Sequence, residues 1–365
     1  MKKIFITPIC AVILLAAVTS CSKKSTPEPG GSESGFTTVT YGGASNISVA
    51  RSQFAAAGLN GSIFFAGGTS DNGTTLYKTV DAYDVLQNVW FTGNLSEARY
   101  LLAGAATGGK VAFGGGRSST GYSDVVDVFD INKNVWSVAH LSEARSGLAA
   151  AAAGNTIIFA GGKGAGGVTD AVDIYNTSTN TWTTAHLSVA RTGLVAATEG
   201  TKILFAGGDD NAGVPLNTVD IYDLGTQTWS VSNLSTAKDH FAGAGAGDKI
   251  VFGGGHTVAG GLVNTVDIYD VTTNAWTTSQ LSEAREDLAA VGIPNKIVFA
   301  GGYKGSGSSS TVDAYDVKSG KWTTLTISTP RNMLAGAGAQ FAIVFAGGIG
   351  TSGPEKAADL FVLSN

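Results

Sequence analysis

The chain has 365 residues, 43% hydrophobic and only 14% charged, a balance that excludes an intrinsically disordered chain. Its 51 glycines suit many tight turns rather than helical surface. The net charge of −5 becomes −7 (21 basic against 28 acidic residues) once Lys2 and Lys3 are set aside, which argues against nucleic acid and against a basic membrane-binding face.

At the N-terminus, Lys2 and Lys3 precede an apolar run from Ile4 to Val18 that Pro8 interrupts. The run is too short and too close to the terminus for an ordinary spanning helix, and it reads as a signal segment. Val18-Thr19-Ser20-Cys21 resembles a bacterial lipobox, in which small residues precede a cysteine that becomes the lipidated first residue of the mature protein. A signal peptide that happens to contain a cysteine is the alternative. The resemblance implies a signal over residues 1–20, lipid on Cys21 and anchoring in a bacterial cell envelope, at the outer membrane, on a side that stays open. Cys10 lies inside the signal, so the mature domain is expected to have no disulfide. Residues 21–35 hold the lipidated cysteine and a Ser-, Pro- and Gly-rich tether, SKKSTPEPGGSESG, too polar to bury a core.

The domain over residues 36–365 opens with Phe36-Thr37-Thr38-Val39-Thr40 and then repeats itself. An apolar run ending in Gly-Gly recurs at Gly67-Gly68, Gly115-Gly116, Gly161-Gly162, Gly207-Gly208, Gly254-Gly255, Gly301-Gly302 and Gly347-Gly348. The steps are 48, 46, 46, 47, 47 and 46 residues, which is a repeat architecture rather than a set of unrelated domains.

One unit stands for the others. Ser146 to Ala153 is small and apolar. Its alanines would suit a helix, but the equivalent Phe241-Ala242-Gly243-Ala244-Gly245 would not, so the spacing predicts an inner strand slim enough to crowd around an axis. Asn155 to Ala160 is a second strand, and the glycines after it allow positive φ. A variable, polar, Gly-rich loop follows. Ala171-Val172-Asp173-Ile174-Tyr175 alternates as a third strand, Asn176 to Asn180 turns, and Thr181-Trp182-Thr183-Thr184 is the fourth. The last turn position is Asn88, Asn134, Asn180, Gln227, Asn274 and Gly320, mostly residues that tolerate a left-handed backbone. All six tryptophans keep register, each seven residues after an aromatic such as Tyr175, which predicts a packing wedge between neighbouring sheets rather than sugar platforms.

Apolar run into Gly-Gly, Val-Asp-x-Tyr-Asp, Asn-x-Trp and Ala-Arg together resemble the kelch repeat over about residues 36–365. The resemblance implies an all-β fold, a seven-bladed kelch-type β-propeller with four antiparallel strands per blade. The seventh unit, from Arg331 to Leu363, stops before any tryptophan, and Phe36 to Thr40 resembles Trp182-Thr183-Thr184. The N-terminal strand is therefore expected to complete the last blade.

Strands alternate in direction, so the loops after Gly-Gly and the loops entering each inner strand share one face. That face receives Arg51, Arg99, Arg145, Arg191, Lys238, Arg285 and Arg331. A cationic ring for an acidic ligand is one reading, since in some kelch proteins this arginine meets the ligand. Pairing of each cation with a local carboxylate is the other, and identity in every copy favours it. Ligand contacts are expected where copies differ. After Gly-Gly come Thr69, Arg117, Lys163, Asp209, His256, Tyr303 and Ile349, and after the arginine slot come pairs that include Asp239-His240 and Glu286-Asp287. Arg117, Lys163, Asp209, Asp239, His240, His256, Glu286, Asp287 and Tyr303 are the ligand-binding candidates, with blades five and six contributing a carboxylate–histidine sector. Their spacing is no metal signature, and neither a metal nor a cofactor is expected. Asp209-Asp210-Asn211 and Asp71-Asn72-Gly73 lack the full calcium-loop pattern. His140 and His186 read as exposed turn residues.

The expected function is a monomeric, non-catalytic envelope lipoprotein whose loop face binds a protein or glycan. A galactose-oxidase-like copper enzyme would need a crosslinked cysteine, which the domain lacks. A sugar enzyme of sialic-acid-epimerase-like type and a purely structural envelope protein are the alternatives.

Overall fold

The computed structural model describes residues 38–70 and 73–364, and its regular elements there are all β-strands. The signal segment, Cys21, the tether, Phe36-Thr37 and Asp71-Asn72 lie outside the described residues. Seven four-stranded antiparallel sheets form the blades of a kelch-type propeller.

Blade three shows why the repeat folds as it does. Its inner strand Ala149–Ala153 pairs with Thr156–Ala160, which pairs with Ala171–Asn176, which pairs with Thr181–His186. Ala149, Ala151 and Ala153 pack into the interface with blade four, while half-buried Ala150 and Ala152 pack toward blade two and line the axial channel. Ile157, Ile158, Phe159 and Ala160 are fully buried, so this second strand is apolar on both faces. The outer strand is exposed at alternate positions or more. In the turn, Asn176 Oδ1 accepts the N–H groups of Ser178 and Thr179 at 3.0 and 3.1 Å. Asn180 follows at φ +57°, and Tyr175 Oη donates to its Oδ1 at 2.8 Å. All six turn positions named from the sequence are left-handed, from +54° at Asn88 to +68° at Gly320.

The aromatic pair is the wedge. Tyr175 and Trp182 stack at 4.7 Å and pack against Ala103, Ala105, Val126 and Val128 of the preceding blade. Trp276 and Trp322 donate to Ser232 and Ser279 on the preceding outer strand, at 2.9 and 3.0 Å. These two tryptophans thus fill an interface and satisfy their polar edge.

The ring closes as the sequence implies. Thr38–Asn46 pairs antiparallel with Ala357–Ser364, with a bulge between Tyr41 and Gly43, and completes the seventh blade. The strand runs to Asn46, six residues beyond the segment picked out by its likeness to the outer strands.

Two details differ from the sequence reading. Among the described residues, three of the loops after Gly-Gly contain short hairpins, at Arg117–Ser118 with Gly121–Tyr122, Lys163–Gly164 with Gly167–Val168, and Ile349–Gly350 with Gly353–Pro354. His140 and His186 end outer strands rather than occupying turns, exposed and 3.2 and 3.1 Å from Asp124 and Asp170.

Inner strands wall an axial channel of about 230 Å³ lined mainly by alanine and glycine. Away from the loop face the strands close tightly. A Cβ on Gly58, Gly292 or Gly245 would lie 1.9, 1.9 or 2.0 Å from a carbonyl oxygen of the neighbouring inner strand.

Candidate functional site

The glycine pairs build the loop face. Gly161 and Gly162 have φ +64° and +110°, and a Cβ on them would lie 2.7 and 2.8 Å from the carbonyls of Arg191 and Ser146. Only glycine lets the backbone approach this closely. Gly162 N–H donates to the Arg191 carbonyl of the next unit at 2.8 Å, and Gly348 closes the circle by donating to Arg51 at 2.9 Å.

The cations of the arginine slot are not a ligand ring. Arg51, Arg99, Arg145, Arg191, Lys238, Arg285 and Arg331 are fully buried. Each pairs with the aspartate two residues before the third-strand aromatic, at distances from 2.5 Å for Arg99–Asp127 to 2.9 Å for Lys238–Asp267. Burial pushes the Arg51, Arg99, Arg191, Arg285 and Lys238 values down against the pull of these carboxylates.

Above that layer, the residue after each Gly-Gly exchanges backbone hydrogen bonds with the residue after each cation. Asp239 pairs with His256, Glu286 with Tyr303, Thr192 with Asp209, Ser146 with Lys163 and Tyr100 with Arg117. The next position is left-handed in all seven blades: Gln53, Leu101, Gly147, Gly193, His240, Asp287 and Met333, with φ between +50° and +65°. Backbone N–H groups bond around the channel mouth, Leu101 to Gln53, Gly147 to Leu101, Gly193 to Gly147, Asp287 to His240 and Met333 to Asp287, at 2.8–3.0 Å. Among the described residues, no such bond joins His240 to Gly193 or Gln53 to Met333. At the second gap, Gln53 Nε2 reaches Met333 Sδ at 3.7 Å.

The carboxylate–histidine sector lies at the first gap. His240 Nδ1 is 2.8 Å from Asp287 Oδ1, and His256 Nδ1 is 3.6 Å from Asp239 Oδ1. One ligand atom each from Asp209, Asp239 and His240 fall within 4.8 Å of one another. Burial and the facing Asp239 raise the Asp209 carboxyl to about 6. The Asp287 hydrogen bond lifts His240 to about 9 against the opposing effect of burial. Burial, then repulsion from Asp287, raises Glu286. The sector is therefore acceptor-rich, with imidazole groups as its donors.

The structure brings Asp209, Asp239, His240, His256, Glu286, Asp287 and Tyr303 into three consecutive blades. It does not bring Arg117 and Lys163 there. Arg117 lies over the Tyr122 ring at 4.6 Å and helps line a groove of about 640 Å³ between blades one and two, with Tyr100, Glu97 and Leu76. Lys163 is exposed on blade three. Sequence reasoning missed the left-handed mouth and the part Gly193 plays beside Asp209. The signal was glycine at 147 and 193 where other copies carry large side chains.

The KLHDC2/KLHL20/DRC7 Kelch-repeats domain matches residues 112–280, and the Kelch motif matches residues 284–327. The chain is similar to a solved structure titled "Structure of YjhT", with 16% identity, a TM-score of 0.62, and 77% of this chain and 99% of that chain covered. No curated protein matches the sequence.

Proposed function

The chain belongs to the kelch-repeat β-propellers, a fold that suggests a binding or scaffold role, and on that premise we propose a lipid-anchored envelope protein whose loop face binds a glycan. The observation that carries this reading is the sector of Asp209, Asp239, His240, Glu286 and Asp287 at the channel mouth. Carboxylate acceptors beside imidazole donors match the alternating donors and acceptors of sugar hydroxyls. The channel beneath is walled by alanine and glycine, so the polar groups form a rim on a binding face rather than the lining of a deep catalytic pocket. Lipid on Cys21 and the polar tether would hold the propeller clear of the membrane.

A glycan array probed with purified residues 22–365 tests the reading. Specific signals that weaken in His240→Ala and Glu286→Ala are expected, and an array without specific signal overturns it. Detergent-phase partitioning that Cys21→Ser abolishes is the expected mark of the anchor. The groove beside Arg117, Tyr100 and Leu76 favours a second reading, a protein partner, because it mixes a cation, an aromatic and an aliphatic side chain. A sugar-modifying enzyme would instead show turnover dependent on the same sector.

A further inference from the structure

We infer that Asp209, Asp239 and His240 form a site for one divalent transition-metal ion of the zinc class, held across the seam between blades four and five. The inference stands on these side chains alone and does not depend on the glycan reading.

Four observations converge. One carboxylate oxygen each of Asp209 and Asp239 and one ring nitrogen of His240 lie within 4.8 Å of one another. Ligands about 2.0–2.2 Å from a shared ion lie roughly 3–4 Å apart, so modest side-chain rotation brings the three groups to ligand distance and leaves a fourth position to water. Second, Asp239 is only 8% exposed, and neither its Oδ1 nor Asp209 Oδ1 has a donor within hydrogen-bond distance, the nearest imidazole to Asp239 Oδ1 being His256 Nδ1 at 3.6 Å. Buried carboxylate oxygens of two neighbouring aspartates without a hydrogen bond are costly, and a cation among them supplies the missing charge. Third, Asp287 engages His240 Nδ1 at 2.8 Å, which orients the ring and leaves Nε2 as the nitrogen to bind, the usual arrangement behind a metal-ligating histidine. Ligation there releases the proton Nε2 carries. Fourth, the seam is where the backbone chain around the mouth is interrupted between Gly193 and His240. The space beside Gly193 is open, for even a Cβ there would meet only Asp209 Oδ2, at 4.0 Å.

The ligand set selects the metal. An imidazole nitrogen with two carboxylates suits zinc and its transition-metal neighbours, whereas calcium takes six to eight oxygens. His256, 3.6 Å from Asp239 Oδ1, stands behind that carboxylate.

Purified full-length protein, stripped with a chelator, is titrated calorimetrically with zinc, manganese and calcium chlorides. One zinc per chain, weaker manganese and far weaker calcium are expected, with a higher melting temperature in zinc. Asp239→Asn keeps the shape of the side chain, and His240→Asn suits a backbone at φ +50°. Each is expected to weaken zinc binding at least about tenfold while keeping the circular dichroism of the stripped protein. Absence of zinc binding, unchanged affinity in both variants, or calcium binding as tight as zinc overturns the inference.

Discussion

The Arg145 guanidinium stands 2.7 Å from the Asp173 carboxylate with both side chains buried, and Asp173 also accepts the Ser142 N–H at 2.9 Å. One aspartate therefore pins the whole linker that enters its blade. Asp81, Asp127, Asp220, Asp267, Asp313 and Asp359 do the same for Ser48, Ser96, Ser188, Ser235, Ser282 and Ser328. Asp173→Asn leaves a buried guanidinium without its counter-charge, which is expected to cost about 3–5 kcal/mol. Arg145→Met with Asp173→Leu should recover only part of that, because the Ser142 N–H still loses its acceptor. Denaturant midpoints check both, and a wild-type midpoint for Asp173→Asn would show that the pair is dispensable.

Ring closure makes the second prediction. Thr38–Asn46 covers the edge of Ala357–Ser364, buries Val39, and places Tyr41 Oη 3.0 Å from Asp359 Oδ1. Ser45 also receives the Trp90 indole N–H at 3.1 Å, linking the last blade to the first. Deleting residues 38–46 bares a strand edge and unseats that tryptophan, so a sharply lower melting temperature and aggregation are expected. An unchanged melt, followed by circular dichroism, would sink the closure argument.

The blades were legible because each sequence feature has a local cause that recurs. Asn180 is left-handed because Tyr175 and the hairpin demand it, and Gly161-Gly162 because a neighbouring carbonyl lies where a Cβ would be. The carboxylate–histidine sector was legible in membership but not in geometry. Asp209 and Asp239 belong to different repeats, and their meeting depends on how two blades abut, which no spacing within one repeat encodes. The short hairpins at Arg117–Ser118 and Lys163–Gly164 escaped for a similar reason, since two paired residues leave no periodicity to detect.

The narrow end of the channel gives a steric prediction. A Cβ on Gly292 would sit 1.9 Å from the Gly245 carbonyl oxygen, a contact that backbone must move to relieve. Gly292→Ala is expected to destabilise the propeller by about 1–3 kcal/mol. Gly166, on the loop face, has nothing within 4 Å of its virtual Cβ, so Gly166→Ala should stay within about 0.5 kcal/mol of wild type. Equal denaturant midpoints for the two variants would refute close packing of the inner strands.

The aspartates that end the third strands predict how stability responds to acid. Lys249 Nζ lies 2.8 Å from Asp270 Oδ2, and Asp270 Oδ1 accepts the N–H groups of Thr272 and Thr273, which holds this carboxyl well below the usual range. At Asp316 burial alone would raise the value, but hydrogen bonds from Lys296 and the Ser319 N–H outweigh it and hold it at about 2. Folded values lower than unfolded ones contribute stability that is complete above the unfolded value, about 3.9, and fades as pH falls through the folded one. Lys249→Met with Lys296→Met should therefore differ most from wild type near neutral pH. That difference should shrink as the pH falls from about 4 to about 2. Urea melts of both proteins across this range measure it. A gap that stays constant down to the lowest pH would mean that the lysines do not hold these carboxylates ionised.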